Sequence, residues 1–389
     1  MSPSTSSSAL SALDRRLLFI TAAATSLWCL ASARILGATF DEPFYLDAGI
    51  DAWRRGDFRE LLAAGTMPLP AYLQTLPLHA GEWLTGQPWP AGGDFGAALA
   101  VARSVTLLFW WMLLAYAMRL AHAIGGSWAG RLALLVIALD PNFLAHAALA
   151  TTDVPFAGAL AAFAYYYRAG RDDAHWFRRT GLPAAVFAVA LTAKASAVSF
   201  GPLVVIALEA EAWWRGRRPA IANAIQVFAI GGVLAVIACG TGGQPSFQGT
   251  LAGMAADHPL RPVVTWLGGL PWSPNALSAL WFQADHNNTG QPTFLLGYES
   301  ARWLWFYVPV LPAIKLAIPT LVLLAAAMLA PQARTPIVIA ASMLTVLLML
   351  LVRVQTGIRF LLPLLALGLA CAAARVALAV EQLPDRGQR

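Results

Sequence analysis

Long apolar runs separated by short basic segments constrain this chain more than any other feature of its sequence. The runs lie at about 17–37, 98–121, 131–149, 154–168, 181–208, 221–240, 303–330, 336–352 and 361–380. Most of them reach the length of about 20 residues that crosses the hydrocarbon core of a bilayer. Hydrophobic residues make up 58% of the chain and charged residues 12%, about half the charged share of a soluble domain. We therefore predict an all-α, polytopic integral membrane protein.

The basic segments predict the orientation of the spans. Because cytoplasmic loops are enriched in arginine and lysine, three clusters should lie on the cytoplasmic side: Arg15 and Arg16; Arg168, Arg171, Arg178 and Arg179; Arg215, Arg217 and Arg218. A single crossing by 181–208 would place the third cluster outside. Two short helices that meet near Lys194 would resolve this conflict, and Pro183 and Pro202 fit such a broken hairpin. This interpretation gives about 10 transmembrane helices.

The predicted organisation is one membrane domain with two polar tails. Within the first external loop, Leu46, Ile50 and Trp53 recur at i, i+4 and i+7, which predicts juxtamembrane helices lying on the bilayer surface. The segments are a disordered cytoplasmic tail at 1–16, the membrane domain at 17–380 with external loops at 38–97 and 241–302, and a cytoplasmic tail at 381–389. Ala31-Ser32-Ala33 also fits a signal-peptidase site, which would make the first run a cleaved signal peptide.

Acidic residues lie at the outer ends of two predicted spans. Asp41 and Glu42 follow the first span, and Asp153 directly precedes the span at 154–168, seven residues after His146. The low dielectric at a bilayer edge raises the basicity of a carboxylate, which suits a general base. The alternative for Asp153 is an ordinary helix N-cap.

Cations within apolar segments are the second unusual feature. The chain has only two lysines, Lys194 and Lys315, and both lie inside apolar runs, as does Arg103. A charge at such depth costs about 2.5–3.5 kcal/mol unless it is paired or hydrated. Arg302 opens the span that holds Lys315, and Arg359 ends a short outer loop. Their convergence at one face would indicate an anionic ligand, whereas snorkelling to headgroups is the alternative.

The evidence for a metal or redox centre is weak. His286 could bind a metal together with the adjacent Asp285, but a lone histidine in a loop is more often structural. Cys29, Cys239 and Cys371 lie in apolar stretches without the spacing of a ligand set or a disulfide. The sequence leaves a divalent metal as an open question and identifies no ligands for it.

Acids and cations at the outer face suit group transfer from a lipid donor that is linked through phosphate. The acid would deprotonate an acceptor hydroxyl, and the cations would stabilise the departing phosphate. The same residues also fit a secondary transporter or lipid flippase for an anionic substrate. Such proteins usually carry internal repeats, and this sequence shows none.

Five motifs together resemble the C-type superfamily of membrane glycosyltransferases. The resemblance is closest to the branch with the protein O-mannosyltransferases and the lipid A aminoarabinose transferase. The motifs occur in the family's order: Phe40 to Tyr45, Asp140 to Asp153, Leu191 to Ser196, Gly290 to Gly297 with the following Trp305 to Pro309 and Lys315, and Gly357 to Pro363.

The resemblance implies a function, a location and roles for individual residues. The donor would be a polyprenyl-phosphate-linked sugar, and the acceptor a lipid, glycan or protein at the periplasmic face of a bacterial inner membrane. Asp41 would be the general base, with Glu42 and Asp153 supporting the acceptor or a metal. The residues implied to hold the carrier phosphate are Lys194, Arg359, Arg302, Lys315 and Arg103. Those implied to contact the acceptor or the loops are Tyr45, His146 and His286.

Overall fold

A computed structural model describes residues 9–89, 94–242, 251, 254–270, 274–330 and 352–382. The described part is helical except for one small hairpin of strands. The helices of the first half are α1 (Ala12–Ile35), α2 (Glu42–Arg55), α3 (Arg59–Ala63), α4 (Leu69–Thr85), α5 (Phe95–Leu139), α6 (Pro141–Ala147) and α7 (Asp153–Gly170). After a π-helical turn at Phe177–Gly181 come α8 (Leu182–Ala193), α9 (Ala197–Trp214) and α10 (Ile221–Cys239).

The second half contains an outer segment followed by the last spans. Its elements are α11 (Arg261–Gly269), α12 (Ala276–Thr289), β1 (Thr293–Leu295), β2 (Tyr298–Ser300), α13 (Tyr307–Lys315), α14 (Ile318–Leu329), a 3-10 turn at Ile358–Phe360 and α15 (Leu362–Glu381). The antiparallel strands pair Thr293 with Ser300. The predicted span at 336–352 lies outside the described residues except for its last position.

Five of the described helices are long and apolar enough to cross a membrane: α1, α5, α9, α10 and α15. The chain is therefore a multi-pass membrane protein, as predicted. The 45-residue α5 is bent, because its backbone leaves the helical region at Gly125 and Gly126. Gly126 has a φ of 77°, and a Cβ on Gly125 would lie 2.7 Å from the carbonyl oxygen of Ala374 in α15. The bend thus depends on glycine at both positions.

The run at 181–208 forms the predicted hairpin. The helix breaks at Lys194, which has extended backbone angles between α8 and α9. Lys194 contacts Asp153 at the start of α7, whereas Glu209 near the end of α9 contacts Arg171 just beyond the end of α7. The two helices therefore run in opposite directions alongside α7. We call the end with Asp153 and Lys194 the acidic end and the end with Arg171 and Glu209 the basic end.

Two predicted boundaries are wrong, and the single span predicted at 303–330 consists of two helices, α13 and α14, separated by extended backbone at Leu316 and Ala317. Residues 12–16, assigned to the disordered tail, form the first turns of α1, because Ser11 and Asp14 make a capping box. Asp14 also pairs with Arg131 at 2.7 Å. The span predicted at 131–149 ends at Leu139, because the carboxylate of Asp140 caps α6 through the backbone N–H of Asn142.

The first external loop is helical, but its apolar face does not lie on the bilayer. Leu46 and Ile50 of α2 are buried with Leu78 of α4 and Leu99 of α5. Trp53 stacks on Tyr72 of α4 with ring centroids 3.7 Å apart. The stripe predicted to face lipid therefore packs against protein and fastens α2 to the acidic end of the bundle.

Candidate active site

Four distant segments of the chain meet at the acidic end. They are the start of α2 with Asp41, the start of α7 with Asp153, the break between α8 and α9 with Lys194, and the 3-10 turn with Arg359. Each charged residue stands at or beside a helix end, where the backbone changes direction. The sequence predicted all four as site residues, and the structure brings them together.

Asp153 is the centre of this cluster. Its carboxylate is 1% exposed. Lys194 Nζ lies 2.5 Å from Asp153 Oδ1, and Arg359 Nε lies 3.4 Å from Asp153 Oδ2. The N-cap of α7 is Thr152, and no side chain caps the helix. The N-cap interpretation of Asp153 is therefore wrong, and its carboxylate serves to hold two cations.

Arg359 links the two acids. Its Nη1 lies 2.7 Å from Oδ2 of Asp41, and both side chains are about a quarter exposed, at 27% and 22%. Burial alone would lower the pKa of Arg359, but Asp153 and Asp41 raise it above its usual value. The guanidinium therefore stays charged at every physiological pH, and positive and negative charges alternate along Asp41, Arg359, Asp153 and Lys194.

Phe360 is a site residue for which the sequence predicted no role. Lys194 Nζ lies 4.7 Å from the centroid of its ring, and the guanidinium carbon of Arg359 lies 5.6 Å from it. An aromatic face stabilises cations at such distances. The available signal was its position directly after Arg359 in a quoted motif, but a phenylalanine in an apolar sequence does not stand out.

Three polar atoms in the cluster are buried without a hydrogen-bond partner among the described residues: Asp153 Oδ2, Arg359 Nε and His146 Nδ1. His146 Nδ1 lies 3.7 Å from Asp153 Oδ2. Burial lowers the pKa of His146, although the nearby Asp153 opposes this shift. Since buried polar groups are normally paired, these atoms mark a place for a polar ligand or for water.

Tyr45 of α2 packs behind the acids. The side chain is buried, and burial together with the charge of Asp41 raises its pKa to about 12. The phenol therefore keeps its proton at physiological pH. The predicted contact of Tyr45 with an acceptor remains a prediction.

Glu42 has a different environment from that of Asp41, the residue before it. Its carboxylate is fully buried and pairs with Arg103 through two hydrogen bonds of 2.7 and 2.6 Å. It also accepts hydrogen bonds from the backbone N–H groups of Ala150 and Thr39, each at 2.8 Å. Burial raises the pKa of Glu42, but these bonds, led by those from Arg103, outweigh it and hold the pKa below its usual value.

Arg103 uses all five of its N–H donors within the protein. Besides the two bonds to Glu42, it donates to the carbonyl oxygens of Ala33, Leu36 and Gly37 at 2.7–2.8 Å. These contacts give no support to a phosphate-binding role for Arg103 or to an acceptor- or metal-binding role for Glu42, and both roles stay predictions. We call this pair the Glu42–Arg103 clamp. It joins the end of α1, the start of α2 and the segment before α7.

The architecture matches solved structures of another membrane protein. Over 94% of this chain and 60% of the other, the fold aligns with the crystal structure of ArnT from Cupriavidus metallidurans bound to undecaprenyl phosphate, with a TM-score of 0.57 and 17% sequence identity. The chain has the ArnT fold. The apo state of ArnT aligns over the same shares with a TM-score of 0.52 and 15% identity.

Sequence comparisons add nothing to this structural match. No family model matches the chain, and no curated protein matches it. The chain spans about 60% of the length of ArnT.

Three of the predicted residues do not join the cluster through any contact among the described residues. Lys315 is exposed at the end of α13, where its carbonyl oxygen accepts a hydrogen bond from the side chain of Asn142. Arg302 is exposed, and its carbonyl oxygen accepts from the backbone N–H of Gln291. His286 lies 3.0 Å from the side chain of Gln291.

The cluster does not fit a divalent metal. Among the described residues, no group of three histidine, cysteine, aspartate or glutamate side chains could hold one. Both oxygens of Asp153 face cations, Lys194 and Arg359, so a metal ion there would be repelled by two positive charges. His286, the other candidate ligand, faces an amide rather than an acid.

Residues that follow Arg359 in the chain line an apolar cavity of about 380 Å³, although the four charged residues of the cluster do not line it themselves. Leu361, the residue after Phe360, lines it together with Val308 and Pro312 of α13. It continues between helices α5, α7, α9, α14 and α15 as far as Arg375 near the basic end. Only Phe360 separates Arg359 from the cavity-lining Leu361 along the chain.

Proposed function

We propose that this chain is a C-type membrane glycosyltransferase that moves a sugar from a polyprenyl-phosphate carrier to a hydroxyl acceptor. The observation that carries the proposal is the convergence of Asp41, Asp153, Lys194 and Arg359, and Arg359 lies two residues before Leu361, which lines an apolar cavity. The apolar cavity suits the hydrocarbon tail of the carrier, the two cations suit its phosphate, and Asp41 suits the reacting hydroxyl of the acceptor. The ArnT crystal structure with bound undecaprenyl phosphate supports this choice of carrier.

The cations would hold the phosphate of the carrier. Lys194 and Arg359 now pair with carboxylates, but both are partly exposed, at 16% and 27%. Arg359 also has a buried Nε without a hydrogen-bond partner in the described chain. Charge-assisted bonds to phosphate are among the strongest in proteins. The isoprenoid tail would extend from Leu361 into the cavity.

Asp41 would act as the general base. Arg359 contacts its Oδ2, and no described residue donates a hydrogen bond to its Oδ1, which leaves that oxygen open. The acceptor hydroxyl would give its proton to Asp41 while its oxygen bonds to the anomeric carbon. The bond from that carbon to the phosphate oxygen would break, and its electron pair would leave with the phosphate beside Lys194 and Arg359. One such displacement inverts the anomeric centre.

The charge distribution supports a periplasmic site in a bacterial inner membrane. The basic end carries Arg168, Arg171 and Arg215, each paired with glutamates of α9. With this end in the cytoplasm, as the positive-inside rule favours, the acidic end and its site face the periplasm. Lipid, glycan and protein acceptors all carry suitable hydroxyl groups.

Transfer fits the geometry better than transport does. Transporters bind their substrates near the midplane of the bilayer, between repeated halves. Here the helix break at Lys194 lies at the end of the bundle, level with the first residue of α7. The partly exposed side chains of Asp41, Lys194 and Arg359 are therefore placed for a reaction at the membrane surface.

The test measures release of polyprenyl phosphate by the purified protein from a panel of polyprenyl-phosphate sugars with mixed acceptors. We expect Asp41→Asn to lower turnover by about 10²–10⁴-fold, the usual contribution of a general base. Asp47→Asn is the matched control, since it removes an exposed carboxylate from the same helix. Full turnover by Asp41→Asn would contradict the assignment of the base.

A further inference from the structure

A polar cluster near the basic end takes no part in the proposed reaction. Arg119 of α5 lies over two tyrosine rings, 5.8 Å from the centroid of Tyr116 and 5.9 Å from that of Tyr165 in α7. The hydroxyl oxygens of Tyr116 and Tyr166 are 2.7 Å apart. One guanidinium and three phenols therefore share a small patch between two membrane helices.

The depth of this patch corresponds to the headgroup region. Arg103 and Arg119 are both in α5, and 16 residues of helix correspond to about 24 Å. Because Arg103 lies at the acidic end beside Glu42, Arg119 lies near the other side of a hydrocarbon core of about 30 Å. In α7, Tyr165 and Tyr166 precede Arg168, which belongs to the ion pairs of the basic end.

Arg119 has no hydrogen bond or ion pair within the described part of the chain, and its side chain is exposed on a membrane-spanning helix. The nearby carboxylates have other partners: Glu211 pairs with Arg168 and Arg215, and Glu209 with Arg171. Arginine side chains near the ends of membrane helices extend to the interface, where water and lipid phosphates solvate them. The tyrosine faces supply part of the stabilisation and leave the N–H donors of Arg119 open.

We propose that Arg119, Tyr116, Tyr165 and Tyr166 bind the phosphate headgroup of an anionic phospholipid in the leaflet at the basic end. A planar guanidinium matches two phosphate oxygens at once, and the phenols can donate further hydrogen bonds. Cytoplasmic leaflets carry anionic lipids that basic residues attract. This site is independent of the proposed transferase reaction.

The lipid would bridge α5 and α7 at one end of the bundle. The same two helices carry Arg103 and Asp153 at the other end. A headgroup held by both helices stabilises the folded state by mass action, so the melting temperature should rise with the concentration of the lipid.

The experiment titrates the purified full-length chain in detergent with phosphatidylglycerol or phosphatidylcholine and reads bound lipid by native mass spectrometry. We expect phosphatidylglycerol to bind to wild type about tenfold more tightly than to Arg119→Gln. This factor corresponds to the loss of one hydrogen bond from a charged group. Arg178→Gln is the matched control, because it removes the same charge from an exposed position near the basic end. It should bind like wild type.

Tyr166→Phe keeps the ring and removes only a hydroxyl, so it tests the site without removing the cation. It should weaken phosphatidylglycerol binding by a smaller factor than Arg119→Gln does. Equal binding by wild type and Arg119→Gln would overturn the proposal, as would an equal loss in Arg119→Gln and Arg178→Gln. Complete displacement of the lipid by millimolar inorganic phosphate would overturn the assignment to a lipid.

Discussion

The Glu42–Arg103 clamp and the cluster around Asp153 each join a carboxylate to an arginine at the acidic end of the bundle, and they differ in one respect. In the clamp, all five donors of Arg103 and both oxygens of Glu42 have partners. In the cluster, buried atoms of Asp153 and Arg359 have none among the described residues. The clamp has no hydrogen-bonding capacity left for a ligand, whereas the cluster around Asp153 keeps such capacity and is therefore the candidate site.

The adjacent residues Asp41 and Glu42 show the same difference between an open and a fully hydrogen-bonded carboxylate. Successive residues at the start of a helix point about 100° apart, so the two carboxylates face different surroundings. Glu42 is fully enclosed, whereas Asp41 keeps one oxygen toward the open side and the other on Arg359. Two acids that read as one motif therefore have separate roles.

The largest expected effect is on the clamp. Arg103→Met leaves Glu42 buried without a cation, and breaking a buried ion pair in this way costs about 3–5 kcal/mol of folding free energy. Thermal unfolding in detergent would show a large fall in the melting temperature. The double variant Glu42→Gln with Arg103→Met should recover part of the loss. A melting temperature equal to that of wild type would contradict the structural role of the clamp.

The next largest effect is expected in the cluster around Asp153, where a substitution should change donor binding more than stability, in contrast to the clamp. Lys194→Ala should weaken the apparent donor affinity by about 10- to 100-fold, since a hydrogen bond to a charged group contributes about 1.5–3 kcal/mol. Lys315→Ala is the matched control, as the side chain of Lys315 is exposed and makes no hydrogen bond or ion pair within the described residues. Unchanged donor affinity in Lys194→Ala would remove Lys194 from the site, and a loss in Lys315→Ala would restore the original prediction for Lys315.

A smaller effect concerns the loop that carries Arg359. The buried side chain of Gln355 accepts a hydrogen bond from the backbone N–H of Leu304 and donates one to its carbonyl oxygen, both at 2.8 Å. Gln355→Leu leaves these backbone groups unpaired, which costs about 1–3 kcal/mol. We expect a modest fall in melting temperature together with weaker donor binding. A fall in melting temperature with full donor affinity would show that the loop does not position Arg359.

The smallest effect is a dependence on pH. The pKa of Glu42 lies below its ordinary value of 4.5, so its ionised form stabilises the folded state above pH 4.5. That contribution disappears as the pH falls through the lowered pKa. Melting temperatures between pH 7 and pH 3 should therefore fall more steeply for wild type than for Glu42→Gln. Parallel curves would contradict the assigned ionisation.

Much of the fold could be predicted because its signals are local. Apolar length defined the spans, and the basic clusters required a reversal within 181–208 that the structure shows at Lys194. The errors also have local causes. Ser11 and Asp14 extend α1 beyond its apolar run, and α5 ends before Asp140, which lies within an apolar run. Helix caps depend on individual side chains, which a hydropathy profile does not detect.

By itself, the sequence determined that this chain is a bundle of membrane helices, and it predicted as site residues Asp41, Asp153, Lys194 and Arg359, which the structure brings together. Each of those residues carries a charge where local hydropathy makes a charge costly. Only the tertiary structure decided that Arg103 and Glu42 form a clamp and that Phe360 lies against both cations. The reason is physical: whether a buried charge is satisfied depends on partners distant in the chain, and Glu42 and Arg103 are 61 residues apart.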